Sequence, residues 1–196
     1  MWRLIMKDFL KLETHFKNHP KRYLHTLGVL EEALYLNQLF DLNLNLHDLE
    51  MACLLHDYAK IYSYEESIKL LEKYESKIIV EHLKKYPSVI HSVLGAHLIK
   101  DKFGVNKDVF EAVYYHTTGS KTMSTLSKVV YVSDCIEKNR NFPNVEFYRQ
   151  AVHKNLDYGV YEISKGTIEL LERLNQPIEP NTLETYEYYK EHFNEI

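Results

Sequence analysis

The chain is poor in the residues that punctuate sheets and loops, with 6 Gly and 5 Pro among 196 positions. No alternating Val/Ile/Thr run is bounded by Asn-Gly or Asp-Gly, so β hairpins lack their usual signals. Cysteine is scarcer still. Cys53 and Cys135 lie far apart and in no C-x-x-C pair, which leaves neither a disulfide framework nor a thiolate zinc site. Both read as buried small hydrophobes. The uninterrupted apolar stretches are only a few residues long, as in Met51 to Leu55, against the ~20 that a membrane-spanning helix needs. The opening MWRLIMKDFLKLETHF spaces charges through itself and offers no small-residue cleavage site, so it does not read as a secretion signal and the chain is expected in the cytoplasm. The formal charge of −4 and pI near 6.3 supply no basic field for a nucleic-acid backbone.

What is present is the balance of a folding domain, 45% hydrophobic and 27% charged residues. The length of 196 residues suits one compact domain across residues 1–196. Apolar spacing and end signals predict an all-α array, with helices near residues 2–17, 20–40, 48–58, 65–74, 76–84, 88–103, 108–116, 124–137, 145–174 and 182–192. Pro20 suits a first helical position. Ser88 is expected to cap its helix and Gly104 to end it. TTGSK reads as a turn and NRNFPN as a loop. Eleven histidines and 16 tyrosines stand out. Histidine is the commonest metal ligand and a frequent general base, so their placement decides what the domain does.

The sharpest local feature is Leu54-Leu55-His56-Asp57, an apolar helix face ending in adjacent imidazole and carboxylate. A dipeptide alone says little, since His47-Asp48 also occurs and reads as an ordinary helix start. Helical phase separates them. His25 shares a face with Gly28 and Val29, and His56 with Leu49, Ala52 and Cys53. His91 does so with Leu94, Gly95 and Leu98, His116 with Val109, Ala112 and Val113, and Asp134 with Val130 and Tyr131. All therefore turn inward. One inward histidine is ordinarily a hydrogen-bonded core residue. Five inward polar residues and Asp57 are harder to accommodate singly, because each unpaired buried group costs about 1–3 kcal/mol. A shared ion would satisfy them together. Four His and two Asp suit iron, manganese or another divalent transition metal rather than magnesium or calcium, and six ligands can hold two ions ~3.5–4 Å apart with a carboxylate bridging.

The order His25, His56-Asp57, His91, His116, Asp134 resembles the HD-domain phosphohydrolases. RYLHTLGV from Arg22, LLHDYAK from Leu54, HSVLGAHL from His91, AVYYHTTG from Ala112 and YVSDCIEKNRNFP from Tyr131 resemble more narrowly the YqeK-type members, across about residues 20–145. Those are bacterial symmetrical diadenosine tetraphosphate hydrolases, once linked to NAD metabolism. The resemblance implies an HD fold completed by helices of residues 145–196, and a dinuclear iron centre on the six residues. His25, His56, Asp57 and Asp134 form the first set, and His91 and His116 complete the second. Ser92, Ser133 and Lys138 stand where the family usually has Gly, Ala and Pro.

Basic residues beside these motifs are candidates for phosphate: Lys60, three positions after Asp57, Arg22, one turn before His25, and Arg140, in the loop after the Asp134 helix. Each also reads as an ordinary helix-end cation. Thr117, Thr118 and Gly119 could offer hydroxyl and N–H groups to a phosphate or ribose, or form only a turn. His15, His19, His47, His82, His97, His153 and His192 match no family position and are read as surface or cap residues, and the TYEYYKEHF tyrosines as helix packing. The expected activity is symmetrical cleavage of diadenosine tetraphosphate to two ADP by metal-activated water, with Asp57 and Lys60 as candidate catalytic residues. Broader nucleotide phosphohydrolysis and a nucleotide sensor without turnover are the alternatives. The expected partner is a small dinucleoside polyphosphate or nucleotide, with a homodimer open and neither nucleic acid nor membrane implied.

Overall fold

The structure is a computed structural model that describes residues 12–193. Among them secondary structure is helical throughout, with no strand. Of the helix expected over residues 2–17, residues 12–15 are helical and 16–17 form a turn, while its earlier part lies outside the described residues. Helix α1 (Pro20–Leu39) opens on its proline. Helix α2 (Leu46–Leu55) starts where the Asn45 side chain accepts the Asp48 N–H. A 3-10 turn (Tyr58–Ile61) leads to α3 (Tyr64–Leu71), closed by a reciprocal Ser63–Glu66 capping box. The side chains of Ser76, Asn106 and Ser124 cap α4 (Lys77–Leu83), α6 (Lys107–Tyr115) and α7 (Thr125–Ile136), each accepting the backbone N–H three residues on. Helix α5 (Ile90–Phe103) stops at Gly104, whose φ of 64° is the left-handed conformation expected there.

Three boundaries differ from the sequence expectations. The helix expected over 48–58 ends at Leu55, because His56 turns its ring back onto the Cys53 carbonyl and the chain tightens into the 3-10 turn. Ser88 does not cap α5. Val89 occupies that position without a side-chain bond, and Ser88 is exposed. The helix expected over 145–174 is two, α8 (Val145–Lys154) and α9 (Leu156–Arg173), divided at an extended Asn155 whose side chain accepts the Tyr158 N–H. Helix α10 (Pro180–Glu191) follows and is capped by the Glu179 carboxylate.

Helices α1, α2, α6 and α7 pack on one another, and α9 lies across α7, α8 and α10. Their shared core includes Val29, Leu36, Leu49, Cys53, Val113 and Val130. A second cluster of Ile68, Leu71, Val80, Val93 and Leu94 lies under α3, α4 and α5. Cys53 is fully buried and Cys135 partly covered. Burial pushes both thiols up, that of Cys135 to about 12. Tyr189 is buried and Tyr186 stacks on Tyr161, so these two tail tyrosines pack, while Tyr188 is exposed. No helix of the described residues is long and apolar enough to cross a membrane.

Candidate metal centre

Helix geometry delivers six side chains to one place. His25 comes from the second turn of α1, His56 and Asp57 from the end of α2, His91 from the first turn of α5, His116 from the end of α6 and Asp134 from the last turns of α7. His25 Nε2 stands 3.2 Å from His56 Nε2 and 2.9 Å from Asp134 Oδ1. His91 Nε2 stands 3.1 Å from His116 Nε2. Three overlapping groups could each hold an ion: His25 with His56 and Asp57, His56 with His116 and Asp134, and Asp57 with His91 and His116. Together they use all six residues.

Helix ends set the tautomers. The terminal carbonyls of a helix lack intrahelical partners, and His56 and His116 each follow the last residue of a helix. Their Nδ1 atoms lie 2.7 Å from the Cys53 and Val113 carbonyls. A carbonyl only accepts, so Nδ1 carries the proton and each neutral ring turns an Nε2 lone pair inward. His25 Nδ1 faces the Glu137 carboxylate at 3.2 Å. The inward nitrogens thus crowd together with carboxylate oxygens, an arrangement a cation relieves.

Asp57 Oδ1 makes the same point. It is buried and accepts no hydrogen bond, yet four nitrogens surround it: Lys60 Nζ at 3.3 Å, His91 Nε2 at 3.5 Å, His116 Nε2 at 3.6 Å and His56 Nε2 at 3.7 Å. Metal–ligand bonds of about 2.0–2.2 Å place neighbouring ligand atoms roughly 3–3.5 Å apart, close to these separations. Asp57 Oδ2 accepts from Arg22 Nη1 at 3.1 Å. The donor set and the orphaned oxygen therefore fit a divalent transition metal.

Charge states match. Burial pulls His56 down to about 4 against the opposing charges of Asp57 and Asp134. Burial, then the Lys60 and His116 charges, hold His91 well below the usual imidazole range. Burial would raise the two carboxyls. The surrounding imidazoles, His56 first, instead hold Asp57 well below its range, and the His25 hydrogen bond does so for Asp134. Burial also lowers His25, but its Asp134 hydrogen bond and charge outweigh that and leave it raised. Neutral His56 and His91 beside ionised Asp57 and Asp134 are in the forms that bind metal, whereas His25 would give up a proton on binding an ion.

The cation candidates all reach this centre. Lys60 and Arg22 approach Asp57, while Arg140 donates from Nη2 to Asp134 Oδ1 and from Nε to the Asp134 carbonyl. Their side chains keep 32%, 32% and 37% of their surface exposed, so they form the rim. The TTG segment divides. Thr117 Oγ1 lies 3.4 Å from His91 Nε2. Thr118 and Gly119 are buried, the Thr118 hydroxyl bonding the Gly119 carbonyl and Gly119, at φ 68°, fitting under Thr185 of α10. Ser92 is also buried and bonds the Val89 carbonyl. Ser133 Oγ is buried without a partner, and Lys138 pairs with Glu31 on the surface.

Sequence reasoning missed Glu137, which is 1% exposed at the end of α7. Its signal was a carboxylate one turn beyond Asp134 on the same helix. It also placed His15 at the surface or in a cap. His15 stacks on Tyr58 at 3.8 Å and donates from Nε2 to the Tyr58 carbonyl at 2.8 Å. Of the other unassigned histidines, His97 pairs with Glu75 and His153 with Glu32, half-buried, while His82 faces Glu179. His19, His47 and His192 are exposed.

Comparison with known proteins agrees with the geometry. Residues 22–139 match the HD domain family. The chain is 35% identical over 168 residues to the symmetrical bis(5'-nucleosyl)-tetraphosphatase of Bacillus subtilis strain 168, covering 85% of this chain and 88% of that one. It is 34% identical over 177 residues to the protein of the same name from Halalkalibacterium halodurans, covering 89% and 91%. The crystal structure of a predicted HD superfamily hydrolase involved in NAD metabolism from Clostridium acetobutylicum superposes with a TM-score of 0.83 at 29% identity, covering 94% of this chain and 97% of that one. Fold, motif order and this similarity over most of its length together place the chain in the YqeK-type branch of the HD-domain hydrolases.

Proposed function

We propose that this protein is a single-domain, metal-dependent hydrolase that cleaves diadenosine tetraphosphate symmetrically into two ADP. The observation that carries the reading is Asp57 Oδ1, buried, unbonded and ringed by nitrogens of Lys60, His56, His91 and His116. His25, His56, Asp57 and Asp134 would hold one ion, and His91 and His116, sharing Asp57, a second, with iron first and manganese next among metals suited to this donor set. Such ions, when bound, supply Lewis acidity that polarises phosphoryl oxygens and lowers the pKa of water.

The chain's own contribution is positioning and charge. Nδ1–H anchors on the Cys53 and Val113 carbonyls keep His56 and His116 aimed inward without cost at the moment of reaction. Lys60, Arg140 and Arg22 stand on the rim, where a polyphosphate would arrive and where charge on a departing ADP oxyanion would need neutralising. Thr117, whose Oγ1 lies 3.4 Å from His91 Nε2, is the member of its segment that would reach such a substrate. The substrate class itself comes from the shared name of the Bacillus and Halalkalibacterium relatives.

Product analysis after incubation with diadenosine tetraphosphate and Mn(II) or anaerobic Fe(II) tests this. ADP as the sole nucleotide product is expected, and ATP with AMP overturns symmetrical cleavage. The Clostridium neighbour's association with NAD metabolism favours a second reading, a broader nucleotide phosphohydrolase. Comparison of kcat/KM between diadenosine tetraphosphate and nucleoside mono- and triphosphates decides between them. Metal and nucleotide binding without product release would instead mark a sensor.

A further inference from the structure

His25 poses a problem that His56 and His116 do not. Those two rings stand at helix ends, where orphaned carbonyls take their Nδ1 protons. His25 sits inside α1, where the carbonyls of the preceding turn are engaged in the helix ladder. Its anchor has to come from elsewhere in the fold. It comes from 112 residues away, as Glu137 Oε1 at 3.2 Å from His25 Nδ1.

The surroundings are shaped to that carboxylate. Its other oxygen, Oε2, accepts from the Asn139 backbone N–H at 2.7 Å and the Asn139 side-chain amide at 2.9 Å. A Cβ added at Gly28 would run into Oε2 and stand 3.0 Å from Cδ, so the bare backbone of α1 supplies the room. The loop that carries this arrangement is fastened by Arg149. Its Nε donates to the Ile136 carbonyl at 2.9 Å, and its Nη2 donates to the Glu137 and Arg140 carbonyls at 2.9 and 3.1 Å. A buried carboxylate with two donors on one oxygen and an imidazole on the other has little freedom to turn.

We propose that Glu137 is a positioning residue for the metal centre, holding the His25 ring with Nε2 toward the ions, and that Gly28 and Asn139 exist to seat its carboxylate. This rests on the metal reading of the site above. The chemistry predicts an unusual consequence for the isosteric variant Glu137→Gln. The two Asn139 donors require an oxygen, so the Gln amide nitrogen must face His25 Nδ1. That nitrogen only donates, which obliges Nδ1 to accept and moves the ring proton to Nε2, where it blocks coordination.

The test is Mn(II) affinity by chelator competition for wild type, E137Q and Gly28→Ala, with metal-free melting curves confirming folding, together with 15N-histidine spectra of the Zn(II)-loaded wild type. Loss of about 10–100-fold in affinity in both variants is expected, the size typical of removing the partner of a ligating histidine. The Zn(II)-loaded wild type should show His25 protonated at Nδ1 and bound through Nε2. Folded E137Q within twofold of wild type, or His25 bound through Nδ1, overturns the role of Glu137 alone. Wild type that takes up neither ion overturns the metal reading and this role with it.

Discussion

At the scale of single residues, the site is a set of side chains whose unfavourable burial makes sense only jointly. Removing one should therefore do more than remove one contact. His56→Ala takes away a fully buried imidazole that belongs to two of the three ligand groups. A drop of more than ~100-fold in metal affinity and turnover is expected, beyond that for an outer partner, and Mn(II) titration with an ADP-release assay checks it. Ser133 is the opposite case. Its hydroxyl is buried and unpartnered where the family resemblance has alanine, so Ser133→Ala should raise stability by about 1 kcal/mol, read from chemical denaturation. His15 titrates outside the ligand set. Burial, with the Lys102 and His19 charges, lowers it below 6.5 despite its bond to the Tyr58 carbonyl. The fold thus binds fewer protons than the unfolded chain, and His15's contribution is full above about pH 6.5 and fades as pH falls toward its folded pKa. His15→Phe keeps the stack on Tyr58 but cannot titrate. The melting-temperature advantage of wild type over H15F should shrink between pH 8 and pH 5, and a constant difference would refute the assignment.

At the scale of elements, helical content and most helix starts were legible because Ser, Asn and Pro stood where caps require them, as at Pro20, Ser76 and Ser124. Boundaries decided by tertiary contact were not. The break between α8 and α9 occurs inside a continuous helical pattern, and its purpose appears only in the packing that follows. A Cβ on Gly159 would meet the Val152 backbone at 2.8 Å, so the two helices close on a bare glycine. Gly159→Ala should cost about 1–3 kcal/mol by overpacking. Gly95, also helical and beside the site, supplies the control. Its added Cβ would find Ala59, Val113 and the His56 carbonyl at 3.7 Å, an ordinary contact distance. Gly95→Ala should be neutral or stabilise by up to ~1 kcal/mol, as alanine favours helix. Thermal melts of the two variants side by side check both, and an equal loss in each would contradict the packing argument.

At the scale of the molecule, the six candidate ligands were legible because each pairs an inward helical phase with a recurring motif, whereas the pairing of Glu137 with His25 spans 112 residues and is not recorded in the local sequence. The cover that α10 lays over Thr118 and Gly119 was not legible for the related reason that α10 is distant in sequence. The same long reach gives the centre a part in stability. Five helical segments, from His25 on α1 to Asp134 on α7, would be tied together by ions whose ligands are scattered when the chain unfolds. Binding to the native state alone at 100 times the dissociation constant contributes about 2.7 kcal/mol. At roughly 2–4 °C per kcal/mol for a chain of this size, Mn(II) should raise the melting temperature by about 5–11 °C, chelator should reverse the rise, and His56→Ala should abolish it. A melting temperature indifferent to metal in the wild type would mean that the six side chains do not act together on a cation.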